Sequence, residues 1–344
     1  VYKYRMLPAA RMAFRLSDDE KAELEGMLAG IEARLPDEKD RTITSVDRVA
    51  GFDDLLVMNV FGDIYALGCS SLAIWGKLTP DGTSMVVRNF DFPALDLVIA
   101  HQHVRVVAPI AAREGSPARH GIVGIGHPGG IGLMTGLSTE GVFAAIHDVH
   151  VSTQLKDMPQ KNVPRLIAIR RLLEQLDAKG AVEAATELCR SWNTLYGNNF
   201  MVATSDPGEG LHAGVLEYDT DETDDRGVDL RGPETSMLYV CCTNHHCKRG
   251  EGECWRFDHL SDAFDDADAA TATPKSLFSV IEAASFPKTG EKVEAGGFGT
   301  LHQVVAETGT RRLHVRLTKV GGNIRETTPQ SFEVDKEVEA LTAK

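Results

Sequence analysis

Long apolar runs are missing from this sequence. Nothing in it approaches the ~18 consecutive apolar residues of a membrane-spanning helix. Basic residues are also in short supply: 36 Lys and Arg stand against 50 Asp and Glu, a formal net charge of −14. Phosphate binding needs the opposite balance, so a nucleic-acid partner is not expected. Cysteine is sparse, with six residues (Cys69, Cys189, Cys241, Cys242, Cys247, Cys254) in a chain of 344. That density is too low for a disulfide scaffold. Internal repeats and low-complexity tracts are absent. The first residue is Val1 rather than Met, which reads as a trimmed N-terminus. The lack of a leader therefore says little, and the compartment stays open.

What is present is ordinary globular material, 42% hydrophobic and 25% charged, enough for one large core or two smaller ones. "SDDEKAELEGMLAGIEARL" predicts a helix. Ser17 and Glu20 have capping-box spacing, and Leu24, Met27, Leu28, Ile31 and Leu35 share a face. A second helix is expected over 53–67. At Gly68-Cys69 the pattern changes to strand. "CSSLAIWGKL", the turn "TPDG" and "TSMVVRNFDF" form a hairpin. "LDLVIAHQHVRVVA", "GIVGIG" and "GIGLMTGLSTEGVFAAIHDVH" continue as strands. Two helices follow (163–178 and 181–192), then the strands "NFMVATSD", "HAGVLEYD" and "SMLYVCCTNH". The acidic run 217–229 reads as a solvated loop. The tail holds a short helix, "SLFSVIEAAS", and the strand pair "TLHQVVAET" and "RRLHVRLTKV". Blocks of helices alternating with blocks of strands suit an α+β fold of antiparallel sheets with helices outside.

With the turn centred between Pro80 and Asp81, the partner of Cys69 is about Phe92, with Asp91 adjacent; a bulge would shift this by a residue. Arg88 lies three residues up the strand, roughly 10 Å at about 3.4 Å per residue. An ideal strand puts Arg88 and Asp91 on opposite faces, so for both to serve Cys69 the strand must bend or end near Phe90. Chemically, a thiol of pKa ~8.5 needs a base or a cation. Cleavage of the Gly68–Cys69 bond would give Cys69 its own α-amine, titrating near ~7.7–8.0, where a general base works well. On these residues alone, a buried strand cysteine beside an ordinary ion pair is the simpler reading.

The wider pattern changes that balance. "GCSSLAIWGKLTPDGTSMVVRNFDF" resembles the start of the mature chain in the linear-amide hydrolases with an N-terminal cysteine nucleophile. That group includes choloylglycine (bile salt) hydrolases, penicillin V acylase and isopenicillin N acyltransferase. The resemblance continues in "GIGLMTGLSTEGVFAAI", "VPRLIAIRRLLEQLDAKGAVEAATEL", "NNFMVATSD", "CCTNHH" and "TLHQVVAE". It implies an αββα sandwich of the N-terminal-nucleophile (Ntn) hydrolase type and self-cleavage between Gly68 and Cys69. Residues 1–68 would then be a helical propeptide or small subunit, and 69–344 the catalytic domain, packed as one unit.

By the same resemblance Cys69 is nucleophile and, through its amine, general base. Arg88 and Asp91 match an Arg-x-x-Asp pair. Asn199 matches an oxyanion-binding asparagine, with Asn198 as the neighbouring alternative. Asn244 in "TNHH" and Arg256 in "CWRFDHL" match further polar positions. Two positions depart from the pattern: Ser138 stands where an asparagine is common, and His147-Asp148 where a second asparagine lines the site. The implied activity is hydrolysis or transfer of a linear amide through an acyl-enzyme, with no cofactor and a small-molecule amide as partner. The alternatives are an acyl-CoA-dependent N-acyltransferase of the same fold and an uncleaved binding homologue. A heterodimer of propeptide and large subunit is expected after cleavage, and a homo-oligomer is compatible with it.

Other signals weigh less. "GIGHPG" fits G-x-G-x-x-G, but a dinucleotide site needs those glycines to open a helix, and the next residues read as strand. Cys241, Cys242, His245, His246, Cys247 and Cys254 cluster in sequence without a zinc spacing; core cysteine, with room for one disulfide, is the expected reading. His101 and His103 share a strand face without further sign of a site. The stripe Leu166, Ile169, Leu172, Leu173 and Leu176 reads as core. Trp75, Phe92 and Phe143 suit either core or an acyl pocket.

Overall fold

The computed structural model describes residues 6–63, 68–109, 119–149, 162–219, 227–234, 237–250, 254–264, 271–286 and 297–343. Three helices open it: α1 (Leu7–Ala13), α2 (Asp18–Arg34) and α3 (Phe52–Asn59), with the two-residue strands β1 (Thr42–Ile43) and β2 (Arg48–Val49) between the last two. Ser17 and Glu20 cap α2 reciprocally, as their spacing predicts. The helix expected over 53–67 is shorter. It stops at Asn59, a 3₁₀ turn follows over Phe61–Asp63, and residues 64–67 lie outside the described part.

The body starts with the hairpin β3 (Gly68–Gly76) and β4 (Gly82–Pro93). Then come α4 (Asp96–Ala100), β5 (His103–Val107), β6 (Ile122–Gly126), β7 (Thr135–Ser138) and β8 (Val142–Asp148). Two helices, α5 (Arg165–Gln175) and α6 (Ala181–Arg190), precede β9 (Asn198–Thr204), β10 (Ala213–Tyr218), β11 (Val228–Arg231) and β12 (Tyr239–Cys242). The chain ends with α7 (Trp255–Asp262), α8 (Pro274–Ala283), β13 (Phe298–Glu307), β14 (Arg312–Leu317), β15 (Gln330–Glu333) and α9 (Val334–Thr342).

These strands make two large antiparallel sheets. One has seven strands in the order β11-β10-β9-β8-β7-β6-β5, the other six in the order β12-β3-β4-β13-β14-β15. Helices α5 and α6 cover the outer face of the first sheet, and α7 and α8 that of the second. This is the αββα sandwich that the resemblance implies. Alternation along each strand explains it. Cys69, Ala73 and Trp75 on β3 and Val86, Phe90 and Phe92 on β4 pack between the sheets, whereas Leu72, Ile74, Met85 and Val87 pack under α7 and α8. Trp75, Phe92 and Phe143 therefore sit in the inter-sheet core, and the Leu166–Leu176 stripe is buried where α5 packs on the outer face of the seven-stranded sheet.

Several expectations need correction. Only the second half of 95–108 is strand; its first half is α4. The acidic stretch is not all solvated loop. Glu217 closes β10 fully buried on Arg231 (2.8 Å), and Val228–Arg231 pairs with it as β11. Helices α1, α7 and α9 and strand β15 carry too short a pattern for periodicity to reveal.

The N-terminal helices form their own apolar cluster, closed by Ile131 and Ile167 of the body. Asn59, at the end of α3, stitches this layer down. Its Nδ2 donates to Leu55 O and Gly129 O (2.8 and 3.0 Å), and its Oδ1 accepts from the Ile131 N–H (2.6 Å). Arg171 adds a bidentate pair to Glu20, both bonds 2.7 Å. Asn59→Ala strands a buried N–H and a buried C=O, at about 1–3 kcal/mol each. We expect a denaturation midpoint lowered by a total of that order, with limited proteolysis attacking residues 6–63 before the sheets.

Candidate active site

Cys69 lies fully buried on the inner face of β3. The register differs from the expectation. Cys69 pairs with Phe90 and Gly68 with Asp91, because Gly76 pairs with Gly82 and so centres the turn on Thr79; the slip between Ile74 and Gly76 restores only part of the difference. The turn is thus centred earlier than Pro80-Asp81. Nor does β4 bend or end near Phe90; it runs to Pro93. Arg88 and Asp91 keep the opposite faces of an ideal strand, and each reaches the cysteine in its own way.

Arg88 works from between the sheets. Its Nη2 donates to Cys69 Sγ (3.1 Å) and Ile146 O (2.5 Å). Its Nη1 bonds Thr135 Oγ1 and lies 3.3 Å from His302 Nε2. His302 stacks on Phe90 (centroids 4.7 Å apart). Burial, together with the Arg88 charge, pushes its pKa well below the ordinary histidine value. A neutral imidazole can then accept the arginine hydrogen. Burial also pushes the Cys69 thiol up, with Arg88 opposing it and Asp91 reinforcing it. In the continuous chain this sulfur is therefore held as a thiol.

Asp91 works from the other face, through intermediaries. Its carboxylate accepts from Thr300 Oγ1 (2.5 Å) and from Arg256 Nη1 (2.9 Å). Arg256 Nη2 donates to Asn244 Oδ1 (2.7 Å), and that oxygen also accepts the backbone N–H of Cys69 (2.8 Å). Asn244 Nδ2 donates to Asp148 O (2.6 Å). Among the described residues the path from Asp91 to the Cys69 nitrogen thus runs through Arg256 and Asn244. Burial lifts Asp91 to about 6 against the pull of Arg256.

Gly68 is held by packing. A Cβ there would stand 2.5 Å from the Phe298 ring and 3.0 Å from Asp91 Cβ. A side chain before the cysteine would have to displace the exposed Phe298 ring and crowd Asp91.

Asn199 is buried on β9, opposite His147. Its Nδ2 donates to Thr243 O (3.0 Å) and His245 O (2.7 Å), which engages both amide hydrogens. It clamps the loop that carries Asn244 and, in this geometry, has no donor left for an oxyanion. Asn198 faces the helix side, bonded to Thr194, Tyr196 O and Arg165. The two departures also separate. Asp148 pairs with Arg165 on the helix side, while His147 Nε2 meets Ser71 Oγ (2.6 Å) between the sheets. Burial and Arg88 hold His147 neutral, its pKa well below the ordinary value. Ser138 Oγ accepts the Val142 N–H (3.2 Å) and shapes the β7–β8 turn.

Sequence reasoning missed Ser71, Thr135, Thr300 and His302. The usable signal was polarity at strand positions set among apolar residues, as in "TLHQVVAE". "GIGHPG" runs from the end of β6 into a turn rather than a helix. Among the described residues no group of three or more His, Cys, Asp or Glu side chains could hold a metal ion. All six cysteines are free thiols, so the disulfide allowed for in the sequence does not form. No described helix is long and apolar enough to cross a membrane.

No family model matches the chain, and no curated protein sequence does either. Solved structures do. A Caenorhabditis elegans ortholog of N-acylethanolamine-hydrolyzing acid amidase superposes with TM-score 0.50 at 12% identity, over 70% of this chain and 93% of that one. A mutant of conjugated bile acid hydrolase from Clostridium perfringens gives 0.51 at 12%, over 78% and 93%. Penicillin V acylase from Agrobacterium tumefaciens gives 0.51 at 15%, over 77% and 85%. The chain has the αββα Ntn-hydrolase fold that these proteins share, in agreement with the resemblance read from its sequence.

Removing Arg256 strands the buried Asp91 carboxylate. Arg256→Ala should cost about 3–5 kcal/mol at pH 8. Asp91 already titrates near 6, and without the arginine it takes up a proton at still higher pH. The penalty should therefore shrink as pH falls from 8 to 5, as denaturant titrations at both pH values would show.

Proposed function

We propose that this chain is a self-cleaving cysteine amidohydrolase or acyltransferase of linear amides, with Cys69 as the nucleophile and the Gly68–Cys69 bond as the scissile one. The observation that carries the reading is the double hold on Cys69. Arg88 donates to its sulfur, and Asn244, backed by Arg256 and Asp91, accepts from its nitrogen. A packing cysteine has no need of a buried guanidinium on one atom and a three-residue polar chain on the other.

In the cleavage step the Cys69 sulfur attacks the Gly68 carbonyl. The S–C bond forms, the C–N bond breaks, and the nitrogen gains a proton to become a free amine. Water then hydrolyses the thioester and releases residues 1–68 as the propeptide, which the Asn59 and Arg171 contacts keep docked as the small subunit. Residues 69–344 become the catalytic subunit. The new amine keeps Asn244 Oδ1 as acceptor and leaves its lone pair for the neighbouring thiol. Its ordinary pKa of about 7.7–8.0 makes it a competent base near neutral pH.

In the turnover step the amine takes the thiol proton as sulfur attacks the substrate carbonyl, then gives that proton to the leaving nitrogen. Arg88 stabilises the developing thiolate. Water or an acceptor amine resolves the acyl-thioester. Asn244 and Arg256 position the amine, and Asn199 enters as the clamp on 243–245. The structural neighbours support an amide as substrate, since their names give an N-acylethanolamine, a conjugated bile acid and penicillin V as what they act on.

A panel of N-acyl amino acids, bile-salt conjugates, penicillin V and acyl homoserine lactones tests the reading. The wild-type chain should hydrolyse at least one member, Cys69→Ala none, and Arg88→Ala about 100-fold more slowly or worse. Full activity in Cys69→Ala would sink the proposal.

A further inference from the structure

Both arms of the hold on Cys69 end on one short piece of strand. Arg88, which donates to the cysteine sulfur, also donates to Ile146 O (2.5 Å). Asn244, which accepts the cysteine N–H, donates to Asp148 O (2.6 Å). The two carbonyls belong to the last residues of β8. Where that strand end sits therefore sets where both arms can reach. Asp148 is its final residue, and its carboxylate is tied on the helix side to Arg165, the first residue of α5. The same guanidinium donates to Asn198 Oδ1 (2.9 Å) on the neighbouring strand β9.

Arg165 is held in turn by the N-terminal segment. Asp63 accepts its backbone N–H with both carboxylate oxygens (3.2 and 3.3 Å), and Oδ1 lies 3.5 Å from Nε. Gly62 O accepts from Nη2. Asp63, Arg165 and Asp148 are all buried. One guanidinium thus serves two carboxylates out of water, and one of the two comes from the chain just ahead of Gly68. Apolar residues of similar volume would pack there at no cost in stability, so the fold alone does not call for this arrangement.

We propose that Asp63 is a positioning residue for the cysteine site, supplied by residues 1–68 and acting through Arg165, Asp148 and the end of β8 on Asn244 and Arg88. This role rests on the function proposed above and extends it: the segment cut from Cys69 stays as a working part of the site. Every link is a direct contact between buried groups. It also gives a use to Asp148, one of the two departures from the resemblance. The direction of titration agrees. Burial, reinforced by Asp148, lifts the Asp63 carboxyl from 3.8 to about 7 against the pull of Arg165. A folded-state pKa above the unfolded one means that stability is lost as pH rises through this window, because the ionised form is the disfavoured one in the fold. At pH 8 Asp63 therefore carries a charge that stability does not require.

Asp63→Asn tests the role. Asparagine keeps the shape and one acceptor oxygen but turns an NH₂ toward a donor of Arg165. At pH 8 the denaturation midpoint should equal or exceed that of the wild type. For any amide the wild type hydrolyses, kcat should fall about tenfold with KM within about twofold. Self-cleavage, followed by intact mass, should slow alike. With Asn244→Ala already in place the same substitution should cost no more than about threefold, because one of the links it acts through is gone. Should Asp63→Asn not fold, Asp148→Asn breaks the chain one link later and should show the same loss of kcat. A wild-type kcat in the folded variant, a loss that only follows a fall in stability, or the same tenfold with and without Asn244 would overturn the role while leaving the function standing. A wild type that hydrolyses no amide overturns the function, and this role with it.

Discussion

The contact on which the site depends is the buried pair between Arg256 and Asp91. Asp91 is fully buried and Arg256 nearly so. Alone, each would be a costly charge in the interior. Together they aim one guanidinium edge at Asn244, and Asn244 turns its amide oxygen to the Cys69 nitrogen. The pair joins three separate pieces of chain: β4, the loop after β12 and the first turn of α7. It works with the Asn244 bond to Asp148 O and the Asn199 clamp on 243–245 to hold the asparagine against the Cys69 backbone.

The same arrangement explains why an inner-face thiol and an outer-face carboxylate can belong to one site. A strand sends alternate residues to opposite faces, and β4 obeys that rule through its whole length. The carboxylate acts around the sheet edge by way of α7, where the strand cannot turn. On the inner side Arg88 needs partners in the opposite sheet, Thr135 and Ile146 O, so the sandwich must close before the cysteine is polarised. Gly68 completes the fit, because the Phe298 ring and Asp91 crowd any side chain placed there.

Much of this was legible in the sequence, for identifiable reasons. The hairpin is readable from its turn residues, α2 from Ser17 and Glu20, and α5 from its apolar stripe. The ordered set of short motifs carried the fold, since each motif marks a strand or helix of the sandwich. The register was missed by two positions because the turn centres on Thr79, with Gly76 opposite Gly82, rather than on the Pro80-Asp81 pair that composition favours; the slip at Ile74–Gly76 offsets part of that difference. The Asn244–Arg256 relay was missed because residues 91, 244 and 256 are far apart in sequence, and only the closed fold brings them together. His302 and Ser71 escaped notice for a related reason: a polar residue in a buried strand is meaningful only when the facing residue is known.

The central claim is that Cys69 becomes an N-terminal residue. Intact-mass measurement on the purified protein, with N-terminal sequencing of any fragment, tests it most directly. The account predicts two species divided between Gly68 and Cys69, and a single uncut chain in Cys69→Ala. An amide-hydrolysing protein whose Gly68–Cys69 bond is intact throughout would contradict it.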